Sequence, residues 1–499
     1  HFPDGRISAE PRRIIDVEEA VSKLRTVLPD LDEDWLRKRL TGDKGFVWVK
    51  REVTPHQRDE VFHLGLPGVG LIAENKRVYP NGPIGAHVLG FANIDNQGIA
   101  GIEKYIDGQG LADLHNLGFG ATPDDLQPVR LSLDIRATHA LRDEVEKGVA
   151  RFRAKAGAAA ILDVTTGEVV ALASLPDYDP NKPTDALDPL HINRMSVGVY
   201  EMGSTFKALT IAMALDSGKV NLGSRLDARG ALSFGRFKIH DYHAQNRALT
   251  VPEVFTYSSN IGTARMAMGQ GVEKHKAFLH KLGQLTRMRT ELPESAEPIV
   301  PRNWGELNTM TIAFGHGLAV APLQAMMAVG ALMNGGYLMT PTFIKRTPEE
   351  AMKSAVQVIK PETSEAMRYL MRLNAEIGTA KKVDVPGYFV GGKTGTAEKV
   401  IHGHYSKDRL FTTFMAVAPS DKPKYLFLTI MDEPQGLPED GGHATAAYNS
   451  GYVTGEIIER VGPILGLAPR FEPPHQPFPL LAKLGYGMAN FPASGGHGH

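Results

Sequence analysis

Apolar positions at helical spacing open the chain. Val17, Ala20, Val21, Leu24, Val27 and Leu28 follow a capping-box-like start at Asp16 and Glu19. Asp34 to Leu40 reads as a second, charged helix, Gly45 to Thr54 as a strand, and Thr54-Pro55 as the entry to a helix ending near Leu64. From Val129 the pattern is stronger. Val129 to Leu133 reads as a strand, and Asp134 caps a long helix reaching about Arg153. Ala158 to Val164 and Glu168 to Ser174 are apolar strands joined by a hairpin over Thr165-Thr166-Gly167. The segment from Gly203 to Leu215 is apolar on nearly all sides, so it is predicted as a short buried helix. A capping box at Thr250–Glu253, an apolar helix through about Met333 and a strand around 388–397 follow. A hairpin, Phe411–Ala418 with Tyr425–Met431, then leads to a closing helix over 444–465. This order predicts a mixed α/β fold, an antiparallel sheet covered by helices, preceded by a smaller α+β domain.

Length and composition narrow this picture. At 499 residues the chain is long enough for two or more domains. A composition shift at Pro123–Pro128 sets the expected boundaries at 1–128, 129–465 and a disordered tail of 466–499, rich in proline, glycine and histidine. Lys and Arg number 55 against 56 Asp and Glu, so nothing points to nucleic acid. With no cysteine, disulfides and thiolate chemistry are excluded. His56, His63 and His87 lack metal-ligand spacing, His316 is read as a packed histidine, and His497 and His499 are too sparse for a metal site. No apolar run approaches the ~20 residues of a membrane helix. The start at His1 is read as the sign of a soluble part excised from something longer, with its anchor upstream.

Three short patterns carry candidate chemistry. Ser204-Thr205-Phe206-Lys207 puts a serine in the first turn of the buried helix, where free N–H groups favour a developing oxyanion, and a lysine at i+3 within its reach. A desolvated lysine can serve as the base that a serine nucleophile needs. Alone, this pattern is weak, since about two matches arise by chance in such a chain. Ser258-Ser259-Asn260 would present a hydroxyl and an amide from one turn, although a capped loop is the simpler reading of that tripeptide alone. Lys393-Thr394-Gly395-Thr396 reads as a strand with Thr394 and Thr396 on one face and Lys393 on the other. Gly395 would leave room for a substrate backbone to pair along the edge. Chance predicts roughly a quarter of one Lys-[Ser/Thr]-Gly match. Each pattern occurs once, in the order that a penicillin-recognising serine transferase requires.

Together with Asn193-Arg194, Tyr200 and Gly203, these motifs resemble the class B penicillin-binding proteins, the peptidoglycan DD-transpeptidases, over about residues 77–465. Arg77–Gly82, Ala86–Phe91 and Gly98–Glu103 resemble the class's N-terminal non-catalytic domain. Gly90-Phe91-Ala92-Asn93-Ile94-Asp95 resembles the division-type members, the penicillin-binding protein 3 group, more than the elongation type. The resemblance implies the penicillin-binding-protein/β-lactamase-like fold and a two-step acyl transfer in septal cell-wall synthesis. Ser204, Lys207, Ser258 and Asn260 would be catalytic, and Lys393, Thr394, Gly395 and Thr396 would bind substrate. The backbone N–H groups of Ser204 and Thr396 would form the oxyanion hole. No cofactor or metal is implied. The implied partners are stem peptides, β-lactams and division membrane proteins including a glycan polymerase, at the periplasmic face of the inner membrane. The competing readings are a serine β-lactamase, a DD-carboxypeptidase, and a β-lactam sensor or non-catalytic scaffold. Two departures from the class stand out: Met202 where proline is usual, and Ala444–Tyr448 without its common proline.

Overall fold

A computed structural model of the protein describes residues 2–109, 128–401, 403–472 and 474–484. The chain forms two compact units: His1–Gly82 with Phe91–Ile99, and Pro83–Gly90 with the chain from Ala100 onward. The expected boundary at Pro123–Pro128 lies, apart from Pro128, outside the described residues.

The first unit is a three-stranded antiparallel sheet, β1 (Phe2–Ala9) between β2 (Val47–Val53) and β3 (Val69–Lys76). Helices α1 (Val17–Val27), α2 (Glu33–Leu40) and α3 (Pro55–His63) supply the rest of its core, in which Ile7, Leu24, Leu36 and Val53 are buried together. Asp16 caps α1, and Thr54 with Gln57 forms a full capping box on α3.

The second unit is built on a five-stranded antiparallel sheet. Its strands are β4 (Ala156–Asp163), β5 (Val169–Leu175), β6 (Gly391–Ile401), β7 (His404–Ala418) and β8 (Tyr425–Asp432), in the order β6-β7-β8-β4-β5. Every residue of β4, β5 and β8 is buried, which explains their near-continuous apolar runs. The pleat sorts their side chains. Ala158, Ala160, Leu428 and Met415 pack into a core shared with helices α5 (Lys207–Asp216), α6 (Val251–Thr256), α7 (Asn260–Gln270), α8 (Pro322–Met333) and α9 (Pro361–Ile377). Ala159, Ile161, Phe427 and Phe414 face the other way, towards the Ile135–Arg151 helix and the Ser450–Val461 helix.

Three expectations change in detail. Val129–Leu133 does not join the sheet: Leu131 makes a single bridge to Ile344, and the Asp134 helix cap follows too soon for a ladder to grow. The closing helix is shorter than 444–465 because Asn449 caps Ser450, after a 3₁₀ turn at Ala446–Tyr448. The tail expected from Gly466 to be disordered is anchored instead, first to the segments around Gly387 and Asp421 and then to α9. Arg470 pairs with Asp421 at 2.6 and 2.9 Å, the Leu481 N–H donates to Glu365, and Phe478 and Leu481 are buried. Its proline-rich composition conceals these anchors. Residues 485–499, including His497 and His499, lie outside the described residues.

Candidate active site

Ser204 lies in a 3₁₀ turn, Gly203–Phe206, that leads directly into α5 at Lys207. Two glycines make this turn possible. Gly203 has φ +54°, and a Cβ there would lie 3.0 Å from Thr396 O and 3.3 Å from Thr396 N. A Cβ at Gly395 would meet Thr413 Oγ1 at 2.3 Å and Met202 O at 2.7 Å. The room left by Gly395 therefore admits the serine turn itself, and Gly203, the residue before Ser204, comes up against the backbone of Thr396. Met202 is buried with φ −82°, close to the range that proline imposes, and its carbonyl accepts from Thr205 Oγ1 at 2.6 Å. The departure from proline thus leaves the turn intact.

The two motif lysines meet at one hydroxyl. Lys207 Nζ donates to Ser258 Oγ at 3.0 Å and to Ser258 O at 2.5 Å, and Lys393 Nζ donates to the same Oγ at 3.0 Å. Both lysines are 1% exposed. Burial, and then repulsion from Lys393, holds Lys207 well below the usual lysine range, while Asp241 opposes that shift. Burial alone pushes Lys393 down to about 7. Ser258 has φ +55°, a conformation rarely adopted by residues other than glycine. There its carbonyl and hydroxyl face the same amine.

Asn260 sits where the motif requires, as the first residue of α7, but one amide N–H donates to His240 O at 2.9 Å. On β6 the alternation is as expected: Lys393 and Gly395 are buried on the Ser258 side, and Thr394 and Thr396 are partly exposed on the other. Thr396 Oγ1 accepts from the Ala446 N–H at 3.2 Å, which leaves its own proton free for a ligand. Thr394 Oγ1 bonds Thr379 Oγ1 at 3.0 Å.

Several neighbours escaped the sequence reading. Asp241 accepts from Ser259 Oγ at 2.6 Å and from the Ile261 N–H at 2.9 Å. Asn374, wholly buried on α9, donates to Gly392 O at 2.8 Å and accepts from the Thr379 N–H. Glu201, three residues before Ser204, accepts from the Gly317 N–H at 2.8 Å and lies 3.3 Å from His316 Nδ1. None stands at a diagnostic spacing, because each reaches the site through the fold. Only the polar interruption at His240-Asp241, after the alternation of Phe237 and Ile239, offered a local signal.

Residues 157–459 match the penicillin binding protein transpeptidase domain. The chain belongs to that family. A probable peptidoglycan D,D-transpeptidase FtsI of Caulobacter vibrioides is 38% identical to this transpeptidase-family chain over 93% of it and 78% of that protein. A probable peptidoglycan D,D-transpeptidase PenA of Neisseria meningitidis is 33% identical over 88% of the chain and 78% of the relative. The peptidoglycan D,D-transpeptidase FtsI of Escherichia coli is 30% identical over 91% and 80%. The apo transpeptidase domain of Burkholderia pseudomallei penicillin-binding protein 3 superposes with a TM-score of 0.61 at 28% identity, covering 71% of this chain and 100% of the domain. Within the family the chain is a class B penicillin-binding protein of the division type.

Proposed function

We propose that the protein is a peptidoglycan DD-transpeptidase that crosslinks stem peptides through an acyl-enzyme on Ser204. One observation carries the assignment of roles: two fully buried lysines share the Ser258 hydroxyl beside the Ser204 turn. Lys207, whose pKa burial holds well below the usual lysine range, takes the proton of Ser204 as its oxygen attacks the penultimate D-alanine carbonyl. The closeness of Gly203 to Thr396 supports an oxyanion hole made of the Ser204 and Thr396 N–H groups, each worth about 3 kcal/mol. Ser258 relays the proton to the departing amine of D-alanine. Thr394 and Thr396 offer hydroxyls to the terminal carboxylate, with Lys393 adding charge from the opposite face of β6. Asn260 offers its carbonyl and remaining N–H to the peptide backbone. An amine of a second strand then attacks the acyl-enzyme, and Ser204 leaves with its proton restored through Lys207.

β-Lactams present a strained amide in place of the donor and stop at the acyl stage. The substrate of such a reaction lies at the periplasmic face of the inner membrane; among the described residues no helix is long and apolar enough to cross a membrane. Septal partners, including a glycan polymerase, follow from the division-type assignment.

Intact-mass spectrometry after exposure to benzylpenicillin tests the nucleophile. The expected result is one drug-sized adduct on the wild type and none on Ser204→Ala. An adduct that survives in the variant would assign the chemistry to another residue.

A further inference from the structure

We propose that Asp241 is a positioning residue that holds Ser258 in its proton-relay geometry by clamping Ser259 and Ile261, just after it in the chain. The inference rests on the reading of Ser204, Lys207 and Ser258 given above.

Ser258 is the point on which the site converges, yet nothing in its own backbone favours the conformation it holds. A serine at φ +55° relaxes towards ordinary β or helical values unless its neighbours fix it. In either relaxed form its hydroxyl and carbonyl would part, and Lys207 could no longer donate to both. The restraint comes from outside the Ser258–Asn260 motif. Asp241 Oδ2 accepts from Ser259 Oγ at 2.6 Å, and Oδ1 accepts from the Ile261 N–H at 2.9 Å. The preceding carbonyl, His240 O, accepts from the Asn260 amide at 2.9 Å. Three consecutive residues after Ser258 are thus pinned by two consecutive residues of another segment.

That segment is itself well anchored. It leaves the short strand Phe237–Ile239, which pairs with Leu232–Phe234, and Ile239 is buried in the main core. Ser259 completes the clamp from the other side. It is 1% exposed, and its Oγ accepts from the Gly262 N–H at 3.0 Å, capping α7 while donating to Asp241. The carboxylate thereby orients the Ser259 hydroxyl and ties the helix start to the relay serine. With both oxygens engaged, Asp241 orders the turn from behind and does not itself contact the reacting atoms.

The test is the rate of acylation of the full chain by benzylpenicillin, followed at increasing drug concentration so that the limiting rate of bond formation separates from the preceding dissociation constant. Wild type, Asp241→Asn and Asp241→Ala are compared, with thermal unfolding measured alongside. Asparagine keeps an acceptor for one partner and loses the other. The limiting rate should fall roughly tenfold in Asp241→Asn and on the order of a hundredfold in Asp241→Ala, with the dissociation constant within about threefold of wild type. Should the alanine variant not fold, the asparagine variant decides. A limiting rate within about twofold of wild type, or a loss confined to the dissociation constant or tracking loss of folded protein, overturns the inference. A wild type that is never acylated overturns the acyl-enzyme reading as well, whereas normal wild-type acylation with unaffected variants removes Asp241 alone.

Discussion

Lys207 and Lys393 are ionisable groups placed where charge is costly, and the chemistry depends on that cost. Arginine at 207 cannot give up its proton, so Lys207→Arg is expected to lower acylation by on the order of a thousandfold in a competition assay with a fluorescent penicillin, while the protein still folds. Protonation removes the base, so the acylation rate falls as pH is lowered. The Lys393 charge depresses Lys207 further. Lys393→Met is therefore expected to move the acid limb of the profile to higher pH, because Lys207 then binds its proton more readily. The same substitution should raise the melting temperature. Lys393 has a folded pKa of about 7 against an ordinary value of 10.5, so the folded state binds fewer protons than the unfolded state between these values. Stability is lost as pH falls from 10.5 to 7 and stays lost below 7. The gain in Lys393→Met should be largest below pH 7, on the order of a few degrees, and vanish above 10.5. Scanning calorimetry across pH reads this directly.

The elements matter through how closely they approach. Gly395→Ala forces a methyl against Thr413 Oγ1 and Met202 O, so β6 or the Ser204 turn must give way. A loss of about 2 kcal/mol or more, with acylation falling disproportionately, is expected from chemical denaturation and the penicillin assay. Phe478 packs against Tyr369 with ring centroids 5.6 Å apart and near Phe389 at 6.5 Å, just ahead of Lys393. Phe478→Ala is expected to cost about 3 kcal/mol in the same denaturation experiment. A wild-type value there would mean that the strap is not bound in solution. The elements best read from sequence carried their own punctuation: Asp134, the Thr250 capping box, Gly167 and the apolar runs of β4, β5 and β8. Helix α9 and the 466–484 strap were missed because one has mixed polarity and the other is proline-rich, and both are defined by what they pack against. The same division applies at the site. Ser204, Lys207 and Lys393 are legible because their spacing is the chemistry, whereas Asp241, Asn374 and Thr379 act across 18, 18 and 15 residues of chain respectively.

For the molecule as a whole, the five-stranded sheet buried on both faces is the frame that brings residues 204, 258 and 393 to one place. The frame also bears on which acceptor ends the reaction. Asp241, the carboxylate that acts on Lys207, has both oxygens taken by Ser259 and the Ile261 N–H and is not placed to activate water. A penicilloyl adduct should therefore persist for hours, which intact-mass spectrometry after removal of free drug will show. The most direct test supplies the full chain with a thioester analogue of the stem-peptide donor and a D-amino acid as acceptor, and measures transfer and hydrolysis products by mass spectrometry. Transfer to the amine exceeding hydrolysis, and absent from Ser204→Ala, is the predicted result. Hydrolysis alone, whatever the acceptor concentration, would contradict it and make the protein a carboxypeptidase.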